Sequence, residues 1–189
     1  MRTISQRMAI AFALVWLTGL AVIAAPRDAK AGSGAAIDAA VDDTLGEFYW
    51  KVRGGKEMVA RAAGVLVFPK IYKAGVWIGG EYGEGALRRR GRTVDYYNTI
   101  SASFGFQLGA QARSVVIVFM TQDALNSFQG VDGWKVGVDG SVAIIDVGAG
   151  ASLDSNQIAA PIVGYVFDGK GLMYNLTLEG TKISRITPR

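Results

Sequence analysis

Gly64-Val65-Leu66-Val67-Phe68-Pro69-Lys70-Ile71-Tyr72-Lys73-Ala74-Gly75-Val76-Trp77-Ile78-Gly79-Gly80-Glu81-Tyr82-Gly83-Glu84-Gly85 is the stretch where the chain changes texture. β-Branched and aromatic residues come in short runs, and glycine punctuates them at positions 75, 79, 80, 83 and 85. Such runs favour extended backbone, and glycine within them marks bulges, sharp coiling or close backbone approach. The same texture continues downstream, with strands expected near 64–68, 74–81, 85–90, 93–97, 101–109, 114–119, 135–138, 141–147, 161–167, 171–179 and 182–186. Asp168-Gly169-Lys170-Gly171 reads as a tight turn between Tyr165-Val166-Phe167 and Leu172-Met173-Tyr174, and Asp139-Gly140 as a two-residue hairpin turn. One short helix, Gln122 to Gln129 behind a Thr121 N-cap, interrupts the strands. Short strands joined by hairpins pair antiparallel, and strands do not alternate with long helices as a doubly wound sheet requires. The expected fold is α+β: a strongly curved or barrel-like antiparallel β-sheet with an N-terminal helical layer.

That layer lies just upstream. Ile37, Val41, Leu45, Phe48 and Val52 recur at steps of four, four, three and four, which places them on one stripe of a helix over Ala35 to Val52. Asp38, Asp42, Asp43 and Glu47 fall on other faces and make its first half acidic. Gly54-Gly55 ends the helix, and Lys56 to Ala63 forms a short second one. The stripe either packs on the domain core or inserts into a membrane. A peripheral membrane helix more usually has a basic polar face, which favours the core.

Residues 1–31 carry Arg2 and Arg7, then eighteen uncharged residues from Met8 to Ala25, then the small-x-small triplet Ala29-Lys30-Ala31. This is the pattern of a secretory signal peptide, with an uncleaved anchor as its rival. The expected product is exported, periplasmic or peripherally associated with the cell envelope. Residues 32–189 then form a single domain, helical over about 35–63 and β-rich over about 64–189. The net charge of +4 in the whole chain shrinks to +1 after residue 31, because four of the bases and one acid precede it. No global positive field draws such a domain to nucleic acid, so any attraction to a polyanion must come from a local patch.

The 189 residues contain no cysteine and no histidine, which removes thiolate chemistry, disulfides, Ser-His-Asp and Cys-His arrangements and the commonest metal ligands. No cofactor or metal is expected. The run Gly79 to Gly85 lacks both the G-x-G-x-x-G order and a Gly-Lys-Ser/Thr ending, and Glu81 and Glu84 would repel a phosphate. Those acids, with Asp95 or Asp146, have the composition of a glycosidase pair. Solvated turn carboxylates or partners for Arg88, Arg89 and Arg90 are their commoner fate. Asp154-Ser155-Asn156 lacks the order of ligands in a calcium loop.

The remaining candidates are basic and aromatic. Lys51, Arg53, Lys56 and Arg61 follow Phe48-Tyr49-Trp50, while Lys70 and Lys73 flank Ile71-Tyr72. Rings beside lysines are the make-up of an interfacial contact, the rings at headgroup depth and the ammonium groups on anionic lipid. The expected lipid-binding residues are Phe48, Tyr49, Trp50, Lys51, Arg53, Lys56, Lys70, Tyr72 and Lys73. A second cluster, Arg88-Arg89-Arg90-Gly91-Arg92, lies at a hairpin end.

The stretch Ala62 to Gly85 resembles the signature of the SYLF domain, found in eukaryotic adaptor proteins and in exported bacterial proteins. Ser101-Ala102-Ser103-Phe104-Gly105 through Gly109-Ala110-Gln111, Gly137-Val138-Asp139-Gly140-Ser141-Val142-Ala143, and Lys170-Gly171-Leu172 through Leu178-Glu179-Gly180 extend the resemblance over Ile37 to Ile186. The resemblance implies binding rather than catalysis: phosphoinositides in eukaryotic members, actin in some fungal and animal ones, and lipid contact through an N-terminal amphipathic helix, here Ala35 to Val52. The acidic first half of that helix departs from the pattern. The reading for this chain is a non-enzymatic, envelope-associated module that binds anionic phospholipid at a membrane surface. The competing reading is an envelope protein-interaction or structural module, oligomeric in one version.

Overall fold

The computed structural model describes residues 32–147, 160–170 and 178–189. Ala31–Arg189 form a compact unit. The expected signal peptide, the Asp154-Ser155-Asn156 stretch and most of the strand expected at 171–179 lie outside the described residues.

Helix α1, Gly34–Lys51, starts where the Ser33 hydroxyl accepts from the Ala36 N–H at 3.2 Å. Helix α2, Gly55–Arg61, follows after Gly54, whose φ of 75° suits a residue without Cβ. Strand β1, Gly64–Arg89, and strand β2, Arg92–Phe119, form one long antiparallel ribbon. The ribbon turns at Arg90-Gly91, both with positive φ (49° and 76°), the backbone of a type I′ hairpin. Helix α3, Gln122–Gly130, is capped by Thr121 as expected. Strands β3 (Trp134–Lys135), β4 (Ala143–Asp146), β5 (Ile162–Lys170) and β6 (Lys182–Ile186) complete the described sheet. Opposite β1, the first half of β2 pairs with β6 and its second half with β5.

The α+β class, the strong curvature and the N-terminal helical layer are as expected, and the sheet is a half-barrel. Four details differ. Asp168-Gly169-Lys170, expected in a tight turn, continue β5, which pairs as far as Lys170 with Ala112. The segments expected separately at 64–68, 74–81 and 85–90 are one strand, and those at 93–97, 101–109 and 114–119 another; bulges between Phe68 and Ile71, Val76 and Ile78, and Leu87 and Arg88 absorb what look like breaks. The sheet is mixed, because β4 runs parallel to β5. Asp139-Gly140 joins no hairpin: Asp139 Oδ2 accepts the Lys135 N–H at 2.7 Å, and β3 pairs with β6.

The ribbon curls back on itself. A Cβ at Gly83 would lie 2.8 Å from the Lys70 carbonyl oxygen, and one at Gly85 would overlap the Val67 carbonyl. Here two stretches of backbone touch, and only glycine fits. The curled sheet has a core on each face. Leu66, Phe68, Leu87, Ile117, Phe119, Phe128 and Trp134 pack on one, while Ile37, Val41, Phe48 and Val52 of the helical layer pack on Val65, Val67, Val116, Val118 and Tyr165 on the other. The stripe of α1 is therefore spent on the sheet. Among the described residues no helix is long and apolar enough to cross a membrane.

Candidate functional site

Because successive residues of a helix are 100° apart, α1 directs its C-terminal aromatic trio three ways. Phe48 points inward and is fully buried, edge-on to Tyr165 with ring centroids 5.0 Å apart. Trp50 points out and is 84% exposed. Tyr49 is half-buried beside α2; burial first, then the charge of Asp42, raises its pKa above the ordinary tyrosine value. Phe48 is thus corrected from interfacial anchor to core residue.

A groove of 420 Å³ runs between α1 and the start of β1, lined by Asp43, Thr44, Glu47, Pro69, Lys70, Arg113 and Ser114. Lys70 is exposed, and its ammonium lies 5.9 Å from the centre of the Tyr72 ring, itself 58% exposed. Glu47, on the α1 side of the groove, pairs with Lys51 at 2.7 Å, and the Lys51 ammonium lies 5.4 Å from the Phe167 ring. Lys70 thus lines the groove, Lys51 is tied to its edge through Glu47, and Trp50 and Tyr72 are exposed rings on the same two segments. Arg53 is exposed just beyond the end of α1.

Lys73 does not join them. By strand alternation it shares the inward face with Ile71, and it is only 8% exposed, with its ammonium 3.3 Å from Glu81. The other Glu81 oxygen accepts from Arg113 at 2.6 Å. Two buried cations thus share one buried carboxylate. Glu81 is neither a solvated turn residue nor a partner of Arg88 to Arg90, and Lys73 is corrected from lipid contact to structural ion pair. Glu84 accepts from the Tyr82 hydroxyl at 2.6 Å and the Gly32 N–H at 2.8 Å, and Asp95 pairs with Arg185 at 3.3 Å. The Gly79–Gly85 run lies within β1, so it is no phosphate loop.

Lys56 sits on the opposite flank of α1, in a second cavity with Tyr49, Arg88 and Arg90. Arg88 crosses to α1 and pairs with Asp42 at 2.7 Å and Asp38 at 3.6 Å. Asp38 also accepts from Thr93 Oγ1 at 2.6 Å and the Tyr96 hydroxyl at 2.9 Å. The acidic half of α1 is thereby engaged by the ribbon.

Residues 100–187 match the family model Ysc84, described as "Las17-binding protein actin regulator". Residues 100–187 thus carry a Ysc84 (SYLF) domain match. No curated protein matches the chain. The SYLF-matched segment supplies most of β2, α3 and the later strands, while the exposed basic and aromatic residues come from α1, the residues just after it and β1, N-terminal to the match. Arg113 and Arg88 were not among the expected site residues. The available signals were a charge set within the apolar strand run Ala112 to Phe119, and the complement between an acidic helix and an arginine cluster.

Proposed function

We propose that this domain is a peripheral binding module that adheres reversibly to anionic phospholipid through one face: Trp50 and Tyr72 as shallow anchors, with Lys51, Arg53 and Lys70 as headgroup contacts. The observation that carries the reading is the two large rings left in solvent, Trp50 and Tyr72, the latter with the Lys70 ammonium 5.9 Å from its centre. Burying Trp50 and Tyr72 at headgroup depth removes apolar area from water, while each nearby base contributes roughly 1 kcal/mol on an anionic surface. The mechanism is charge attraction followed by ring burial, with no covalent step. It differs from a helix-insertion mechanism, since the apolar stripe of α1 is occupied. We place the activity at the cell envelope, a reading that rests on the export-like pattern of residues 1–31.

Co-sedimentation of the Ala31–Arg189 unit with vesicles tests this. Binding should require anionic lipid, weaken with salt, and fall on Lys70→Glu. Indifference to headgroup charge would reject it. The family description names a protein-binding regulator, which favours protein docking on the same face as the second reading. Headgroup-independent capture by a protein partner, with no vesicle binding, would support that alternative.

A further inference from the structure

The cavity on the other flank of α1 has a different character from the Lys70 groove. Its 420 Å³ falls toward the small end of the range of about 300–1,000 Å³ for small-molecule sites. Leu45, Val59 and Val65 give it aliphatic walls, and Lys56, Arg88 and Arg90 bring three cations to it against one lining acid, Asp42. Asp42 is engaged by Arg88. The Arg88 side chain is 12% exposed, and its buried Nε has no acceptor among the described residues. A buried donor without a partner calls for an acceptor. Arg90 and Lys56 are exposed, at the hairpin tip and on α2.

We propose that this cavity binds a single-chain amphiphile with an anionic head, a fatty-acid carboxylate in its simplest form. The alkyl chain lies against Leu45, Val59 and Val65, and the head is held among Lys56, Arg88 and Arg90. Aliphatic walls select a hydrocarbon chain, the excess of cations selects an acid over a neutral or cationic head, and the modest volume favours one chain over two. Tyr49, protonated at neutral pH, adds a hydroxyl donor to the lining. This site is separate from the Trp50 and Tyr72 face, so either assignment can fail alone.

Calorimetric titration of the Ala31–Arg189 unit with dodecanoate, dodecyltrimethylammonium and acetate provides the test. The expected result is one dodecanoate per chain, no measurable acetate binding, and affinity for the cationic amphiphile at least about tenfold weaker. Lys56→Glu with Arg90→Gly, both at exposed positions, should weaken dodecanoate by about tenfold or more. Ala60→Trp should block it, and Lys70→Glu should leave it unchanged. Thermal melts confirm that each variant is folded. Equal binding of the two amphiphiles, unchanged affinity in the charge variant, or no dodecanoate binding would overturn the proposal.

Discussion

Replacing Phe48 and Trp50 separately with alanine should separate folding from binding within one turn of α1. Phe48 is completely buried, packed edge-on to Tyr165 and near Phe167. The fit is tight, since a Cβ on Gly55 would meet the Phe48 ring at 2.9 Å. Truncation leaves a cavity that backbone on several sides cannot fill, so Phe48→Ala should cost about 3–5 kcal/mol. For a domain of this length that is a fall in Tm of roughly 6–20 °C. Trp50 touches little, and Trp50→Ala should change stability by no more than about 0.5 kcal/mol. On the proposed adhesion face its effect is on vesicle binding. If half of a ring area of about 200 Å² leaves water at about 25 cal/mol per Å², the loss is at most about 2.5 kcal/mol, so vesicle affinity should drop by roughly 10- to 70-fold. Urea unfolding and vesicle sedimentation on both variants check this. The reasoning fails if Phe48→Ala is as stable as the parent, or if Trp50→Ala binds vesicles as the parent does.

Glu81→Gln leaves Lys73 and Arg113 buried without a counter-charge and should destabilise by about 3–5 kcal/mol in urea unfolding, with Lys73→Met in the same chain recovering part of the loss. Gly83→Ala pushes a methyl onto the Lys70 backbone and should cost about 1–3 kcal/mol, whereas Gly46→Ala, where a Cβ meets nothing, should be neutral or stabilising. Burial first, then the hydrogen bond and charge of Glu84, push the Tyr82 pKa up to about 12. Because the folded value lies above the unfolded one near 10, the stability this hydroxyl contributes is complete below pH 10 and is lost as pH rises toward about 12. Urea midpoints measured across that window should fall less steeply in Tyr82→Phe.

The helical layer was legible because apolar spacing of four, four, three and four admits few other readings, and Ile37, Val41, Phe48 and Val52 are indeed buried. Glycine announced the curvature, and Gly83 and Gly85 show why: they are where the ribbon meets itself. Strand limits were harder. Pro69 and the glycines look like breaks, yet bulges keep pairing continuous past them. Parallel pairing of β4 with β5 had no local signal, since Asp139-Gly140 is written like a hairpin turn and its partners were fixed by the rest of the sheet. The site was legible in part. Consecutive aromatic residues cannot share a helix face, so the stripe containing Phe48 already separated it from Trp50. Alternation likewise put Lys73 inward with Ile71, but its partners Glu81 and Arg113 are joined only by the ribbon pairing. That Glu47 and Lys70 line one groove depends on where α1 lands on the sheet, which no local pattern records.

The proposed adhesion to anionic membrane runs through the Trp50 and Tyr72 face. Its most direct measurement is quenching of tryptophan emission by bromine-labelled lipid, comparing the Ala31–Arg189 unit with its Trp50→Phe variant on phosphatidylglycerol and on phosphatidylcholine vesicles. Shallow quenching is expected on the anionic vesicles alone, most of it lost with Trp50. Quenching that is equal on both lipids, or that survives removal of Trp50 undiminished, would contradict it.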